Sequence, residues 1–170
     1  MKCAESEVKW METLQDAIKL REEGKPEQAK EMLLTLHGQT PDDPDLNYQL
    51  AWVHDMLGLE GAAVPYYEKA ISSGLAGADR RGALLGLGST YRTLGRYGKS
   101  KEVLELAKKE YPEAREFNVF YAMTLYNLGS YQHAMELLLT ELAETSHDEG
   151  IVSYRRAISF YADKLDQVWE

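Results

Sequence analysis

The side chains best suited to chemistry in this chain are four histidines, one cysteine and a short acidic run, and their spacing does not build a catalytic or metal centre. His37, His54, His133 and His147 are scattered, and neither an HExxH nor a CxxC pattern occurs. The run Asp42-Asp43-Pro44-Asp45 has the charge of a calcium site but lacks the alternating loop ligands and the distal glutamate. Asp43 reads instead as a helix N-cap, with Pro44 at the first helical position. His54 precedes Asp55, but neighbours on a helix diverge and cannot work as an acid–base pair. Gly86 and Gly88 fall inside a helical stretch rather than a phosphate-cradling loop. The expectation is a non-enzyme with no metal and no cofactor.

The elements that position the remaining side chains are marked by Gly24, Gly58, Gly95 and Gly129, spaced 34, 37 and 34 residues apart. A glycine can take the left-handed conformation that closes a helix C-terminus. A period near 34 residues predicts stacked helical hairpins. Four frames lie on the chain at 10–43, 44–77, 81–114 and 115–148, with Ala78-Asp79-Arg80 inserted between the second and third.

Small residues recur where paired helices must approach. The eighth place holds Ala17, Ala51, Gly88 and Ala122; the twentieth holds Ala29, Ala63, Ser100 and Ala134. Large residues recur between them, with Leu33, Tyr67, Leu104 and Leu138 at the twenty-fourth place. The eleventh place holds Leu20, His54, Tyr91 and Leu125. One such hairpin cannot bury its apolar stripe alone, and stacking several makes a continuous core. Pro65 predicts that the second helix of frame two starts late, near Ala62 or Ala63.

This pattern resembles the tetratricopeptide repeat family over residues 10–148. The third frame carries it best, through Leu84, Leu87, Gly88, Tyr91, Gly95, Tyr97, Ser100, Leu104, Ala107 and Pro112. Asp16, His54 and Glu141 depart from it. The resemblance implies an all-α fold: a right-handed α-α superhelix, or solenoid, of about four hairpins over 1–148 with a short lead-in, followed by a C-terminal helix over 149–170.

In the resembled family the first helix of each repeat lines a groove that holds a protein or peptide. Its places map onto Tyr48, Trp52, Asp55 and Met56 in frame two, and onto Leu85, Ser89 and Arg92 in frame three. Val119, Met123, Tyr126 and Asn127 are the matches in frame four. Frame one contributes Leu14, Ile18 and Arg21. Chaperone-binding members hold a terminal carboxylate with lysine, asparagine and arginine. The matching places here are Leu14, Ile18, Trp52, Gly82 and Gly86, so that clamp is absent. The groove reads as apolar and aromatic, suited to an apolar or amphipathic peptide or helix.

From Asp148 to Trp169, apolar residues at Ile151, Tyr154, Ile158, Tyr161, Leu165 and Val168 repeat at three and four, which predicts one amphipathic helix. It reads either as a cap on the last hairpin or as a self-association seam through Ile151, Tyr154, Ile158, Tyr161 and Leu165. The stretch 161–166 is also similar to the tails of small bacterial tetratricopeptide proteins.

A net charge of −9 repels phosphate backbones and anionic lipid, so nucleic acid and membrane are poor partners. One cysteine, Cys3, cannot staple a fold, and no apolar run is long enough to span a bilayer. With no apolar leader at the N-terminus, a cytoplasmic protein is expected. Three functional readings follow: a scaffold that binds protein or peptide through its groove, a self-assembling homodimer, or a receptor for a short regulatory peptide.

Overall fold

The computed structural model describes residues 13–170. Nine helices follow one another among the described residues. The first, α1, runs over 13–22. It is followed by α2 Pro26–His37, α3 Pro44–Met56, α4 Glu60–Ser72, α5 Gly77–Thr93, α6 Tyr97–Glu110, α7 Glu116–Asn127, α8 Tyr131–Thr145 and α9 Glu149–Tyr161. The fold is an all-α helical-repeat solenoid. Two compact units divide it, one ending at Leu94 and the other running from Gly95 to Glu170. The division falls inside the third 34-residue frame.

All four marker glycines adopt positive φ: 74° at Gly24, 67° at Gly58, 71° at Gly95 and 81° at Gly129. The stop after α1 shows the mechanism. Lys25 N donates to Leu20 O at 2.9 Å and Gly24 N to Arg21 O at 3.1 Å, which satisfies carbonyls that the ending helix leaves open. Asp43 caps α3 by accepting from Leu46 N at 2.8 Å, with Pro44 in the first turn. The insertion 78–80 becomes an extra turn of α5, which has 17 residues against 13 in α3 and 12 in α7.

In the first unit, Leu14 and Ala17 of α1 pack with Ala29, Leu33 and Leu36 of α2 and with Leu46, Leu50 and Val53 of α3. Every eighth- and twentieth-place residue is buried, so the small side chains lie at helix contacts. His54 belongs to this interior: its Nδ1 donates to Leu50 O at 2.7 Å and its ring lies 5.1 Å from that of Tyr66. In the second unit, buried Glu141 accepts from Asn118 Nδ2 at 2.6 Å and from Arg115 Nη1 at 3.1 Å. The acid that breaks the repeat pattern is therefore held by two donors from α7 and its cap.

Two helix limits differ from expectation. Helix α4 begins at Glu60 and carries Pro65 inside it. Pro65 and Gly61 are both exposed, so water reaches the carbonyl that the missing N–H leaves free. Helix α9 stops at Tyr161 rather than reaching Trp169. Lys164 Nζ takes Phe160 O at 3.0 Å, and Lys164 N takes Tyr161 O at 2.9 Å. Those carbonyls would otherwise have continued the helical ladder.

Candidate functional site

Helix α3 places Tyr48, Trp52, Asp55 and Met56 at spacings of four, three and one, which brings them to one face. Trp52 is 39% exposed and Met56 45%, whereas Tyr48 is buried. Tyr48 therefore forms the floor and Trp52 and Met56 the accessible apolar surface. The rings of Tyr48 and Trp52 lie 5.5 Å apart, and Tyr48 and Tyr67 6.4 Å.

Glycines on α5 make room for this floor. A Cβ on Gly82 would overlap the Tyr48 hydroxyl and stand 3.1 Å from its Cζ. A Cβ on Gly86 would overlap the Tyr67 hydroxyl and stand 2.5 and 2.8 Å from two ring carbons. Absence of side chains at these two positions lets α5 close against both tyrosines.

The charged groups of the face are unusually dry. The guanidinium of Arg21, a residue only 6% exposed, lies 3.6 Å from the Trp52 ring centroid. Its Nη2 reaches Glu22 at 3.4 Å, and its Nε is buried without a hydrogen-bond partner. Burial lowers the Arg21 pKa against the pull of Glu22 and Asp79. Asp55 accepts from Tyr67 at 2.9 Å and from Thr90 at 2.8 Å, both through Oδ2, while buried Oδ1 has no partner. Burial raises the Asp55 pKa although the two hydroxyls oppose it. Burial, with the charge of Asp79, pushes Tyr48 up to about 12. Leu85, Ser89 and Arg92 on α5 are half-buried, and Arg92 Nε is a further buried donor without a partner.

Leu14, which the resemblance assigned to the groove, is a core residue. Thr90 and Tyr67, which orient Asp55, were not anticipated as site residues. A signal existed: threonine recurs at the tenth place of frames three and four, as Thr90 and Thr124, and both are buried and hydrogen-bonded.

The remaining expected positions lie in the second unit. On α7, Val119 is half-buried, while Met123, Tyr126 and Asn127 are exposed. Tyr126 meets Tyr131 edge-on at 4.9 Å. On α9, Ile151 and Ile158 are half-buried, while Tyr154, Tyr161 and Leu165 are exposed. The expected seam thus separates into a side facing the protein and a side facing solvent.

Among the described residues there is no cluster of three or more metal-ligating side chains, and no helix is long and apolar enough to cross a membrane. The face offers an aromatic floor and exposed apolar side chains above buried polar atoms. That equipment suits recognition.

Comparison with known structures gives the same architecture. MamA AMB-1 superposes with a TM-score of 0.68 at 18% identity, covering 82% of this chain and 76% of that one. A tetratricopeptide repeat protein from Parabacteroides merdae gives 0.67 at 19% identity, covering 90% and 59%. PilF of Pseudomonas aeruginosa gives 0.66 at 18% identity, covering 95% and 78%. No curated protein matches the sequence. The family model described as Tetratrico peptide repeat matches residues 44–165, from the first residue of α3 through the turn after α9. With the positive-φ glycine stops and buried small residues of its frames, the chain belongs to the tetratricopeptide repeat family.

Proposed function

We propose that this protein is a non-catalytic scaffold whose first unit binds an apolar or amphipathic peptide or helix of a partner protein on the face of Arg21, Tyr48, Trp52, Asp55 and Met56. The observation that carries this reading is the exposure of Trp52 and Met56 on one face of α3, over the buried ring of Tyr48. Exposed aromatic and methionine side chains supply contact area to varied partners. Leu85, Ser89 and Arg92 extend the same face along α5. The single thiol, Cys3, supports a reducing cytoplasmic setting.

The test uses a displayed library of amphipathic peptides, with affinities of selected binders measured by calorimetry. Trp52→Ala and Met56→Ser should each weaken binding at least about tenfold, roughly 1.4 kcal/mol, while both variants remain folded at the assay temperature. Unchanged affinity in both variants would sink the proposal.

A further inference from the structure

The C-terminal part of the second unit carries an apolar surface that the binding reading does not use. Tyr131, Phe160, Tyr161 and Trp169 are each about half exposed, as are Met135 and Leu165. They form two groups. Phe160 lies 5.1 Å from Tyr161 and 5.8 Å from Trp169 between ring centroids. Leu165 lines an open cleft of about 660 Å³ together with Tyr131 and Met135.

Helix α9 occupies a particular place in the repeat. It begins at Glu149, one 34-residue period after the fourth frame starts at Arg115. It therefore stands where the first helix of a fifth hairpin would stand. The earlier first helix α7 packs against its own second helix, α8. After α9, residues 162–170 make turns and irregular chain instead of a second helix. No residue within α9 is buried, although Ile151 and Ile158 lean on the protein. An end cap carries a polar outer face, whereas here exposed aromatic and aliphatic side chains stand beside the polar cleft residues Gln132, His133 and Asp166.

We infer that a second copy of this chain covers the surface, pairing α9 with α9 about a two-fold axis. Area favours this occupant. Four half-exposed aromatics of roughly 200 Å² each, with Met135, Leu165 and Val168, offer on the order of 700 Å² per copy. That approaches the 800 Å² or so per partner of a standard interface. The surface also carries both a ridge and a recess, as a two-fold contact requires. One copy's Trp169 stands ready to enter the other's cleft beside Leu165. Asp163 is paired with Lys164, whose Nζ also lies 4.8 Å from the Phe160 ring centroid, and Asp166 is the carboxylate that the contact must accommodate at the cleft.

This contact is independent of the peptide-binding face, and the experiment keeps the two apart. Sedimentation equilibrium of the full chain over a hundredfold concentration range should give twice the 19.3 kDa chain mass, falling towards 19.3 kDa on dilution. Leu165→Asp and Trp169→Ala, both at exposed positions, should each hold the mass at 19.3 kDa with an unchanged circular dichroism spectrum. Trp52→Ala should leave the dimer intact while weakening peptide binding. A wild-type mass of 19.3 kDa up to millimolar concentration would overturn the inference, as would a dimer that survives both variants. A mass that keeps growing with concentration would overturn the closed two-fold pair. A monomer that binds a foreign helix through Leu165 and Trp169 would replace the second copy with another occupant.

Discussion

The Arg21 guanidinium lies 3.6 Å from the Trp52 ring centroid, which ties a buried cation on α1 to an exposed aromatic on α3. The contact holds Trp52 at a defined angle while leaving its outer surface to solvent. It also explains how Arg21 stays dry with its ion pair made to Glu22 at 3.4 Å from Nη2. The ring's negative face replaces part of the lost hydration.

Removing either partner should therefore have different consequences. Trp52→Ala loses the cation–π contact and should destabilise the chain by about 1–2 kcal/mol in urea titration. Arg21→Met keeps the apolar stem on the ring and removes a charge that burial disfavours, and should leave stability within about 1 kcal/mol of wild type. A loss of several kcal/mol in Arg21→Met would show that the charge itself is essential to the fold.

Asp55 makes a pH-dependent prediction. Burial raises its folded-state pKa, so the folded chain binds this proton more tightly than the unfolded chain does. Ionised Asp55 thus subtracts stability above the folded pKa, and the loss is relieved as pH falls through that value. Asp55→Asn should be more stable than wild type at neutral pH. The difference should shrink as pH drops through the raised pKa and be gone below the unfolded value, about 3.9. Asp42 and Asp163, whose carboxyls Lys69 and Lys164 hold low, act equally in both proteins and cancel from the comparison. Chemical denaturation at a series of pH values measures the difference. A gap that widens towards acid would contradict the assignment.

Glu141 and Glu144 separate a buried ion pair from an exposed one. Both accept from Arg115, but Glu141 is buried and also holds Asn118, whereas Glu144 is half exposed. Glu141→Ala leaves Asn118 Nδ2 without its 2.6 Å acceptor and should lower stability by about 1–2 kcal/mol. Glu144→Ala should produce no measurable change. Equal effects from the two substitutions would show that burial is not what distinguishes them.

The repeat was legible because its glycines and small residues report backbone needs that only a few side chains meet. Gly58 at φ 67° and Ala51 at full burial could be placed from spacing alone. The end of α9 could not. Apolar periodicity from Ile151 to Val168 reports which residues share a face, but the ladder ends where Lys164 captures the carbonyls of Phe160 and Tyr161. The candidate face was half legible. Repeat places found Trp52 and Met56, but they also assigned Tyr48 to an open groove, where it is buried against Gly82. Gly82 and Gly86 stand where the family's clamp residues would, and their absence of side chains is explained only by the rings that fill the space.

That explanation can be tested at Gly86. Alanine there gains helix propensity, about 1 kcal/mol over glycine. Its Cβ would come within 2.5 Å of the Tyr67 ring, and Tyr67 is itself buried and bonded to Asp55. Neither the ring nor α5 can yield without disturbing the other, and overpacking of this kind costs about 1–3 kcal/mol, sometimes more. Gly86→Ala should therefore be destabilising overall. Gly98→Ala, where a Cβ meets nothing within 4 Å, should be neutral or slightly stabilising. At Gly82 the obstruction is mainly the Tyr48 hydroxyl, so Gly82→Ala should be partly rescued by Tyr48→Phe, which removes it. A double-mutant cycle in urea gives the coupling directly. Additive effects at Gly82 and Tyr48, or a Gly86→Ala variant as stable as Gly98→Ala, would mean that α5 does not pack against these rings in solution.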